Sequence, residues 1–500
     1  MSTPLTTSAV DGPQRVAQSY RYGRGSRLVD HAGVPRMHLA TSGGMDTNRT
    51  QVANPYFYSG FPTNPMTVAA ALLAVARVAR TRYYVPPGML AAILRAADPI
   101  ITSTPEGLRF ESFSACCGVH ARLDIPSTSL DTDFVASGVT NIDVNPPLRQ
   151  ALAGLRNGEP LHLAIGEADV RVRTLDAELT EEKVELPRRW LKGLCEVQAS
   201  GAGMKLRHEL GPEEARRFIG SLPRTSSTRT VMWATRAARS LRLASRPGPG
   251  SVSLAGPERL LALEPLLRFS TGLRAYGPDI DAGSLPAASC WVLDMPGARL
   301  SVTLSPEKSR GFSGEGGTLN PLSSAAAPPD ALLLDAALAF DSTIDVQELG
   351  RRTGLQAPAV ADALAVLATS GQVGFDVAAG TYFHRPLPFD TGSMLGLHPR
   401  LAGAQRLVSL DAVRPLAASP SEPQAGPDGR SFTVHSGGNG YVVRQRDGGA
   451  DSCSCPWFAT HRDGRGPCKH ILAARIVHPR PGPSAVGAAP SPNARDGQEP

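Results

Sequence analysis

Apolar positions recur with a helical period early in the chain and with a strand period further along. Residues 68–80 place their apolar side chains on one face of a helix. Residues 89–97 follow two prolines with the same period and predict a second helix. Residues 108–124 and 161–176 instead alternate apolar and polar side chains, which indicates strands. Together these patterns predict an α+β unit over residues 46–194.

A second α+β unit is predicted over residues 195–325. Residues 257–273 have the period of an amphipathic helix. Residues 290–295 and 298–304 are strand-like and flank Pro296-Gly297, a dipeptide typical of tight turns. The spacing therefore predicts a β-hairpin at this place.

Three short helical patterns and a hairpin pattern follow one another over residues 332–390. The predicted helices cover residues 332–340, 346–353 and 358–370, and the predicted hairpin covers residues 373–383. A helix, a helix–turn–helix and a two-stranded wing in this order resemble a winged-helix domain, a fold that commonly reads DNA.

The charge pattern argues against DNA binding by this winged-helix-like unit. Residues 330–390 contain three arginines against eight acidic residues. Its third helix, residues 357–370, contains no Arg, Lys, Gln or Asn. Phosphate contacts need cations, and base readout needs side-chain donors. We therefore expect a structural or protein-contact role, and expect charge reversal at Arg351 and Arg352 to leave any nucleic-acid affinity nearly unchanged.

The remaining segments are poor in periodic apolar residues. Their composition predicts a mobile N-terminus over residues 1–45, a linker at 417–429 and a disordered tail at 479–500. No window approaches eighteen consecutive apolar residues, and Met1 is not followed by a secretory signal. We accordingly expect a cytoplasmic protein with no membrane partner, whose overall class is multidomain α+β.

Three of the seven cysteines lie within sixteen residues, and a histidine follows them. Clustered cysteines without an export signal favour metal binding over disulfides. Cys453, Cys455, Cys468 and His470 supply four ligands, as a structural zinc site requires. We expect Zn²⁺ to be held by these four side chains, with His461 and His478 as less favoured substitutes for His470. Because four protein ligands leave no place for water, zinc catalysis is disfavoured.

A Cys-x-Cys pair and a Cys-x-His pair, placed after a hairpin and before a helix, resemble the SWIM zinc finger over residues 430–478. Pro456-Trp457 also resembles family members. The rest of the chain is similar to a bacterial family of SWIM proteins. The segments that carry this resemblance are Asn54-Pro-Tyr-Phe-Tyr-Ser-Gly, Phe110-Glu-Ser-Phe-Ser-Ala-Cys-Cys-Gly-Val-His, Thr140-Asn-Ile-Asp-Val-Asn-Pro-Pro and Trp190-Leu-Lys-Gly. The resemblance implies a nucleic-acid- or protein-binding module and no established enzymatic activity.

Basic residues surround the predicted finger. Residues 430–480 contain eight Arg or Lys against three Asp, in a chain of net charge +6. The candidate nucleic-acid contacts are Arg444, Arg446, Trp457, Arg462, Arg465, Lys469 and Arg475. The sequence leaves two interpretations open: a non-enzymatic protein that contacts nucleic acid, specifically DNA, through the finger, or a protein-interaction adaptor for a larger complex.

A weaker alternative places an enzyme in the first α+β unit. Cys116 and Cys117 precede His120, which suggests a thiol–imidazole pair. Adjacent cysteines diverge on a strand, however, so we favour a buried strand edge at this point. Asp143 and Asn145 could bind a cation, but turn formation accounts for them equally well.

Overall fold

The structure is a computed structural model. It describes residues 27–31, 34–38, 44–45, 51–52, 56–84, 99–141, 144–166, 169–182, 188–237, 240–312, 327–338, 340–385, 399–416, 429–446, 451–462 and 466–478. The chain is a mixed α+β protein that contains several sheets.

The helices are distributed over the whole described chain. They are α1 (Pro65–Arg80), α2 (Pro146–Gly154), α3 (Arg188–Ala202), α4 (Pro212–Gly220), α5 (Ala327–Ala337), α6 (Val346–Thr353), α7 (Ala357–Ser370), α8 (Pro399–Ser409), α9 (Pro456–His461) and α10 (Lys469–Val477). Two 3-10 helices cover Ser127–Ser129 and Pro257–Phe269. The second of these lies where the sequence predicts an amphipathic helix.

The strands fall into separate groups along the chain. The first group is β1 (Arg27–His31), β2 (Val34–His38), β3 (Gly44–Met45) and β4 (Gln51–Val52). The second is β5 (Tyr56–Pro62), β6 (Ile100–Thr104), β7 (Gly107–Phe113), β8 (Val119–Pro126), β9 (Leu130–Val135), β10 (Gly138–Asn141), β11 (His162–Gly166), β12 (Asp169–Arg173) and β13 (Glu178–Glu182). The third is β14 (Lys205–Leu210), β15 (Val231–Ala237), β16 (Ser240–Ala244), β17 (Val252–Ala255), β18 (Gly272–Gly277), β19 (Ser289–Met295) and β20 (Ala298–Leu304). The last is β21 (Val373–Asp376), β22 (Thr381–His384), β23 (Val413–Pro415), β24 (Gly429–Ser436), β25 (Asn439–Arg446) and β26 (Ser452–Cys453).

One eight-stranded antiparallel sheet joins the two predicted α+β units. Its order is β10-β6-β7-β8-β20-β19-β18-β14, and β8 pairs with β20 at its centre. The predicted boundary at residues 194/195 falls inside α3. The separation expected from the sequence is therefore absent at the level of the sheet, because strands from both units share one hydrogen-bonded ladder. We call the assembly of residues 56–312 the N-terminal body.

Both faces of the eight-stranded sheet are covered. Along β19, Trp291 and Leu293 belong to the large core that includes α1, α2 and α4, whereas Cys290 and Val292 belong to a second core around Trp190 of α3. Successive strand residues point to opposite faces. The sheet therefore lies between two helical layers, which explains why β19 is apolar at nearly every position.

Several elements of the N-terminal body lie where the sequence predicts them. Helix α1 covers residues 68–80, β7 and β8 lie in the first alternating stretch, and β11 and β12 lie in the second. Strands β19 and β20 form the hairpin around Pro296-Gly297, where Gly297 has φ +72°. The helix predicted at residues 89–97 lies outside the described residues.

The helical unit of residues 327–385 contains α5, α6 and α7, followed by the hairpin β21–β22. Its element order is the expected one, and its assignment to the winged-helix class stays a prediction. Helix α7 packs against α5 and α3, and the exposed side chains of its described part are Pro358, Ala361 and Asp362, none of which is a cation. The hairpin is tied to the N-terminal body by the buried ion pairs Arg385–Glu111 and Arg122–Asp376.

Short strands β1 to β3 occur within the N-terminal segment of residues 1–45, whose mobility stays a prediction. Strand β1 pairs with β2 from Arg27↔His38 to His31↔Val34, and β3 pairs with β4. Pairing between strands so close in sequence costs little loop-closure entropy, and it needs no long periodic run. The linker at 417–428 and the tail at 479–500 lie outside the described residues.

The C-terminal unit is larger than the finger predicted from the sequence. Helix α8 packs against α10, and β23 extends the hairpin into a four-stranded sheet of order β23-β24-β25-β26. One core is formed by Leu401, Leu407, Val413, Phe432 and Ile471 together with the three clustered cysteines. The unit thus covers the described residues from 399 to 478. Among the described helices, none is both long enough and apolar enough to cross a membrane.

Candidate metal centre

The first two sulfur ligands are positioned by the edge of the C-terminal sheet. Cys453 lies on β26, opposite Val443 of β25. Cys455 is the N-cap of α9, and its Sγ accepts a hydrogen bond from the Phe458 amide at 3.4 Å. Pro456 occupies the first helical position, which suits a residue without an amide hydrogen. The end of β26 and the start of α9 therefore bring the two sulfur atoms close together.

The other two ligands come from the start of α10. Cys468 is the N-cap of this helix, and His470 lies in its first turn. The same helix inserts Ile471 and Leu472 into the core of the unit. Burial of this apolar face therefore fixes the position of the Cys-x-His pair relative to the sheet.

The four side chains converge in the interior of the unit. Their ligand atoms all lie within 4.8 Å of one another, and all four residues are buried. Nδ1 of His470 is 3.8 Å from Cys453 Sγ and 3.9 Å from Cys468 Sγ. A zinc tetrahedron with ordinary Zn–S and Zn–N distances has edges of about 3.6 Å. The donor set therefore fits a tetrahedral metal ion closely, with four protein ligands.

The electrostatics of the cluster favour a thiolate at Cys468. Hydrogen bonds from Cys453 and from His470 lower the pKa of the Cys468 thiol to about 4. The pKa of Cys453 is raised, mainly because its thiol donates to Cys468, and burial raises the pKa of Cys455. Metal binding requires deprotonated cysteines, so a bound cation would replace these protons.

The imidazole of His470 is oriented by packing. Its ring centroid lies 4.5 Å from that of Tyr441, and Nδ1 faces the sulfurs. The buried Nε2 has no hydrogen-bond partner in the described part of the chain. Ligating histidines usually donate this second N–H to an acceptor. In this protein Tyr441 and the core of the unit hold the ring instead.

Residues 439–475 match the SWIM zinc finger family model. The match begins in β25, ends in α10 and includes all four clustered side chains. It confirms the SWIM resemblance of this segment, while the broader likeness to a full-length bacterial family stays a prediction. No curated protein shows significant sequence similarity to the chain.

Solved structures resemble about half of the chain weakly. The C-terminal region of FEN-1 bound to A. fulgidus PCNA has 10% identity and a TM-score of 0.33, over 50% of this chain and 97% of that one. Proliferating Cellular Nuclear Antigen from Entamoeba histolytica has 10% identity and a TM-score of 0.32, over 50% and 98%. The PCNA2–PCNA3 complex from Sulfolobus tokodaii has 9% identity and a TM-score of 0.33, over 51% and 99%. Likeness of this size carries no functional argument.

The basic residues predicted around the SWIM finger have different surroundings. Arg444 and Arg446 lie on β25 and are exposed, on the face of the sheet opposite the buried Val443 and Gln445. Arg444 is flanked across the strands by Ser431 and Ser452. In the described part of the chain, neither arginine forms an ion pair with a carboxylate. These two side chains are therefore accessible on the same face of the sheet.

The other candidates are engaged in the fold to different degrees. Nε of Arg475 is 2.7 Å from the buried carboxylate of Asp451, and the Lys469 stem lies over Gly403 of α8. Trp457 is half-buried beneath the Arg400 guanidinium, 4.6 Å from its ring centroid. Arg462 is exposed at the end of α9, and Arg465 lies outside the described residues. Trp457 thus packs against the core of the C-terminal unit.

The sequence analysis missed one basic residue of the same surface. Arg414 lies on β23, opposite Thr433, and is exposed on the same face as Arg444 and Arg446, with β24 between them. It pairs with Asp411 at 2.7 Å, and both side chains are exposed. The signal that could have revealed this region is Pro399, a helix-start residue, followed by apolar residues at 401, 404 and 407.

The alternative site around His120 is part of an ion-pair network. His120 Nε2 lies 3.4 Å from Glu111 Oε1, and its ring packs on Phe113. Burial lowers the pKa of His120, so the ring is neutral. Cys117 lies in a turn with φ +54°, which corrects the strand placement expected for the two cysteines: the Cys117 amide donates to Ser114 across this turn.

Asn145 caps a helix. Its Oδ1 accepts a hydrogen bond from the Leu148 amide at the start of α2, at 3.0 Å. This contact matches the turn-forming role weighed against cation binding. Asp143 lies outside the described residues.

Proposed function

We propose that the C-terminal unit binds Zn²⁺ through Cys453, Cys455, Cys468 and His470. The support is the convergence of three sulfurs and one imidazole in a buried cluster that lies within the SWIM match. The metal would link β26, α9 and α10, three elements that are short and share one small core. Because all four ligands come from the protein, the ion would stabilise the fold rather than activate water.

We further propose that the open face of the C-terminal sheet contacts the phosphates of nucleic acid. The observation that carries this proposal is the exposure of Arg444 and Arg446 on one sheet face without carboxylate partners among the described residues. Arg414 adds a third cation, and hydroxyls of Ser431 and Thr433 lie between the arginines in the cross-strand register. Cations and hydroxyls are the groups that bind phosphate oxygens independently of sequence.

The protein would act by binding rather than by catalysis. The zinc-ligand set is closed, and His120 is neutral and held between Glu111 and Phe113. The third helix of the helical unit packs on α3 and α5, and its exposed residues include Asp362 and no cation. DNA is the proposed ligand, and the sheet face is its contact surface.

The test compares two charge reversals in the full-length, zinc-loaded protein. Binding of fluorescein-labelled 20-nucleotide single strands and 20-base-pair duplexes is measured by anisotropy between 50 and 300 mM salt. We expect R444E/R446E to weaken binding by about tenfold or more at the lowest salt, and to reduce the slope of log affinity against log salt by about two.

The matched control is R173E/R351E, which makes the same change of net charge. Arg173 and Arg351 are exposed, lie outside the C-terminal unit and each pair with a glutamate on the surface. We expect this variant to bind nearly as the wild type does. Equal losses in both variants would show only a general charge effect, and absence of binding at 50 mM salt would refute nucleic-acid contact.

A further inference from the structure

A groove lies on the helical layer of the N-terminal body, between α1, α2 and the Pro257–Phe269 helix. Two adjoining cavities of about 490 and 240 Å³ form it, and both are lined by Leu73, Arg77 and Ala153. Along the sequence, the residues of the groove are far from those of the SWIM finger. Its lining residues all come from described parts of the chain.

Arginines form the rim of the groove. Arg77 lies at its centre, Arg80 and Arg149 at one end and Arg268 at the other. No acidic residue lines either cavity among the described residues. Arg77, Arg149 and Arg268 form no ion pair within the described chain, while Arg149 donates to the Asn145 carbonyl and Arg80 to the Val144 carbonyl. These three arginines therefore place positive charge on the rim without a carboxylate partner among the described residues.

Several arginines on the neighbouring elements are neutralised. The ion pairs beside α4 and the Pro257–Phe269 helix are Arg216–Glu213, Arg236–Glu214 and Arg224–Glu264. The groove differs from these places because three arginines without carboxylate partners among the described residues line one continuous surface. Like charges held together on a rigid surface repel one another, and an anionic partner relieves this cost.

The floor of the groove is apolar. The smaller cavity is lined, apart from two arginines, by Met66, Ala69, Ala70, Leu73, Ala74, Leu152, Ala153, Leu155 and Pro265. Among the residues that the structure describes, neither cavity is lined by an aromatic ring on which a base could stack. The backbone of a nucleic acid has only the small carbon groups of its sugars to place against such a floor. An amphipathic peptide segment has both carboxylates for the rim and apolar side chains for the floor.

We propose that this groove binds a short acidic, amphipathic segment of a partner protein. Carboxylates of the segment pair with Arg77, Arg149 and Arg268, and one or two of its large apolar side chains lie against Leu73 and Ala153. The charge pairs give orientation and association rate, and the apolar contact gives residence time. This site is independent of the sheet face proposed to contact nucleic acid.

The experiment selects random 16-residue peptides displayed on phage against the immobilised full-length protein. A counter-selection uses the R77E/R149E variant. We expect the enriched peptides to combine at least two carboxylates with a Leu, Ile, Phe or Trp. An enriched peptide is then synthesised with a fluorescein label, and its affinity is measured by anisotropy.

Three variants separate the contributions to that affinity. R77E/R149E is expected to weaken peptide binding by about tenfold or more. A153E is expected to weaken it similarly, because a carboxylate side chain at the exposed position of Ala153 occupies the groove. The control R229E/R242E changes two other exposed arginines by the same charge and is expected to change affinity less than twofold. Ala153 is outside the core, so A153E tests the groove without the loss of a buried side chain.

Two outcomes would overturn the proposal that the groove binds an acidic peptide segment. Failure to enrich any peptide over the counter-selection overturns the proposal. So does an enriched peptide that binds A153E as tightly as wild type. A 16-nucleotide dT strand provides a further check. If this strand does not displace the bound peptide, the assignment is supported. If no peptide binds and the affinity of the strand depends on Arg77 and Arg149, the groove belongs to nucleic acid and the proposal is overturned. None of these results bears on R444E/R446E, so the two proposals fail separately.

Discussion

Arg444 and Arg475 show how differently two similar residues are used in the C-terminal unit. Arg444 is exposed on the open face of the sheet. Arg475 is largely buried, and its partner Asp451 exposes only 1% of its side chain. Asp451 also accepts a hydrogen bond from the Arg446 amide at 3.4 Å. The buried carboxylate therefore depends on Arg475 for charge compensation.

Replacement of Arg475 by Ala is expected to destabilise the C-terminal unit by about 3 kcal/mol, because it leaves a buried carboxylate without its cation. Arg444→Ala, at an exposed position, is expected to change stability by no more than about 0.5 kcal/mol. Hydrogen exchange of residues 466–478, followed by mass spectrometry, measures the local opening free energy. Similar protection in both variants would contradict this assignment of roles.

His384 introduces a pH dependence into the helical unit. Its Nδ1 accepts a hydrogen bond from the Phe340 amide at 2.9 Å, and burial lowers its pKa from 6.5 to about 4. Between these two values the unfolded chain binds a proton that the folded protein does not. Stability must therefore fall as the pH falls through this window, by at most about 3 kcal/mol from this residue.

His384→Gln is expected to reduce that loss. Urea unfolding of wild type and variant at pH 7.0 and pH 4.5 gives the free-energy difference between the two pH values for each protein. The variant keeps part of the acid sensitivity, because burial also lowers the pKa of His120 and His208. An identical pH dependence in the two proteins would show that folding does not lower the pKa of His384.

At the scale of elements, the SWIM finger depends on partners outside the matched segment. Helix α8 packs against α10, and β23 pairs with β24 through Val413↔Val434. Neither element lies within residues 439–475. Because all these elements share one core with the cysteines, order at the metal cluster and order in α8 are coupled.

Metal removal is therefore expected to unfold α8 together with the finger. Treatment with a strong chelator, or the variant Cys468→Ser, should remove hydrogen-exchange protection from residues 399–409 and 466–478. The strands of the eight-stranded sheet should keep theirs. Readdition of Zn²⁺ should restore protection in the chelated wild type and not in Cys468→Ser. Persistent protection of α8 in the metal-free protein would contradict the coupling.

Across the whole molecule, buried ion pairs join the helical unit to the N-terminal body. Arg385 and Glu111 expose 0% and 1% of their side chains. Glu111 is also next to His120, and the Arg385 cation holds the pKa of the carboxyl well below its usual range despite burial. The Arg109 guanidinium lies 3.6 Å from the centre of the Phe383 ring in the same interface.

A double-mutant cycle measures this connection. Arg385→Met is expected to cost about 3–5 kcal/mol, since it leaves a buried carboxylate uncompensated. Adding Glu111→Gln should recover a large part of that loss, so the coupling energy should exceed about 1.5 kcal/mol. The free energy of global urea unfolding provides the measurement for wild type, both single variants and the double variant. Additive losses would show that the two charges do not interact.

Sequence reasoning succeeded where the information is local. The spacing of Cys453, Cys455, Cys468 and His470 is a local property, and so are the turn at Pro296-Gly297 and the helical period of α1. It missed β23 because three residues carry no readable period. It separated two units that share a sheet because nothing in the local pattern of β8 or β20 specifies its distant partner. The roles of Arg444 and Arg475 differ through burial, which composition does not reveal.

The pairing of β8 with β20 also has a consequence for biosynthesis. Strand β8 ends at residue 126 and β20 begins at residue 298, so the ribosome must translate the whole stretch between them before the two strands can pair. At ordinary ribosomal rates this stretch takes on the order of 10–30 s to emerge. During that time one edge of β8 pairs with β7, and the backbone groups of its other edge have no native partner. An open edge of this kind recruits other strands, so a nascent chain of this protein needs either a chaperone or slow early folding to reach its final sheet.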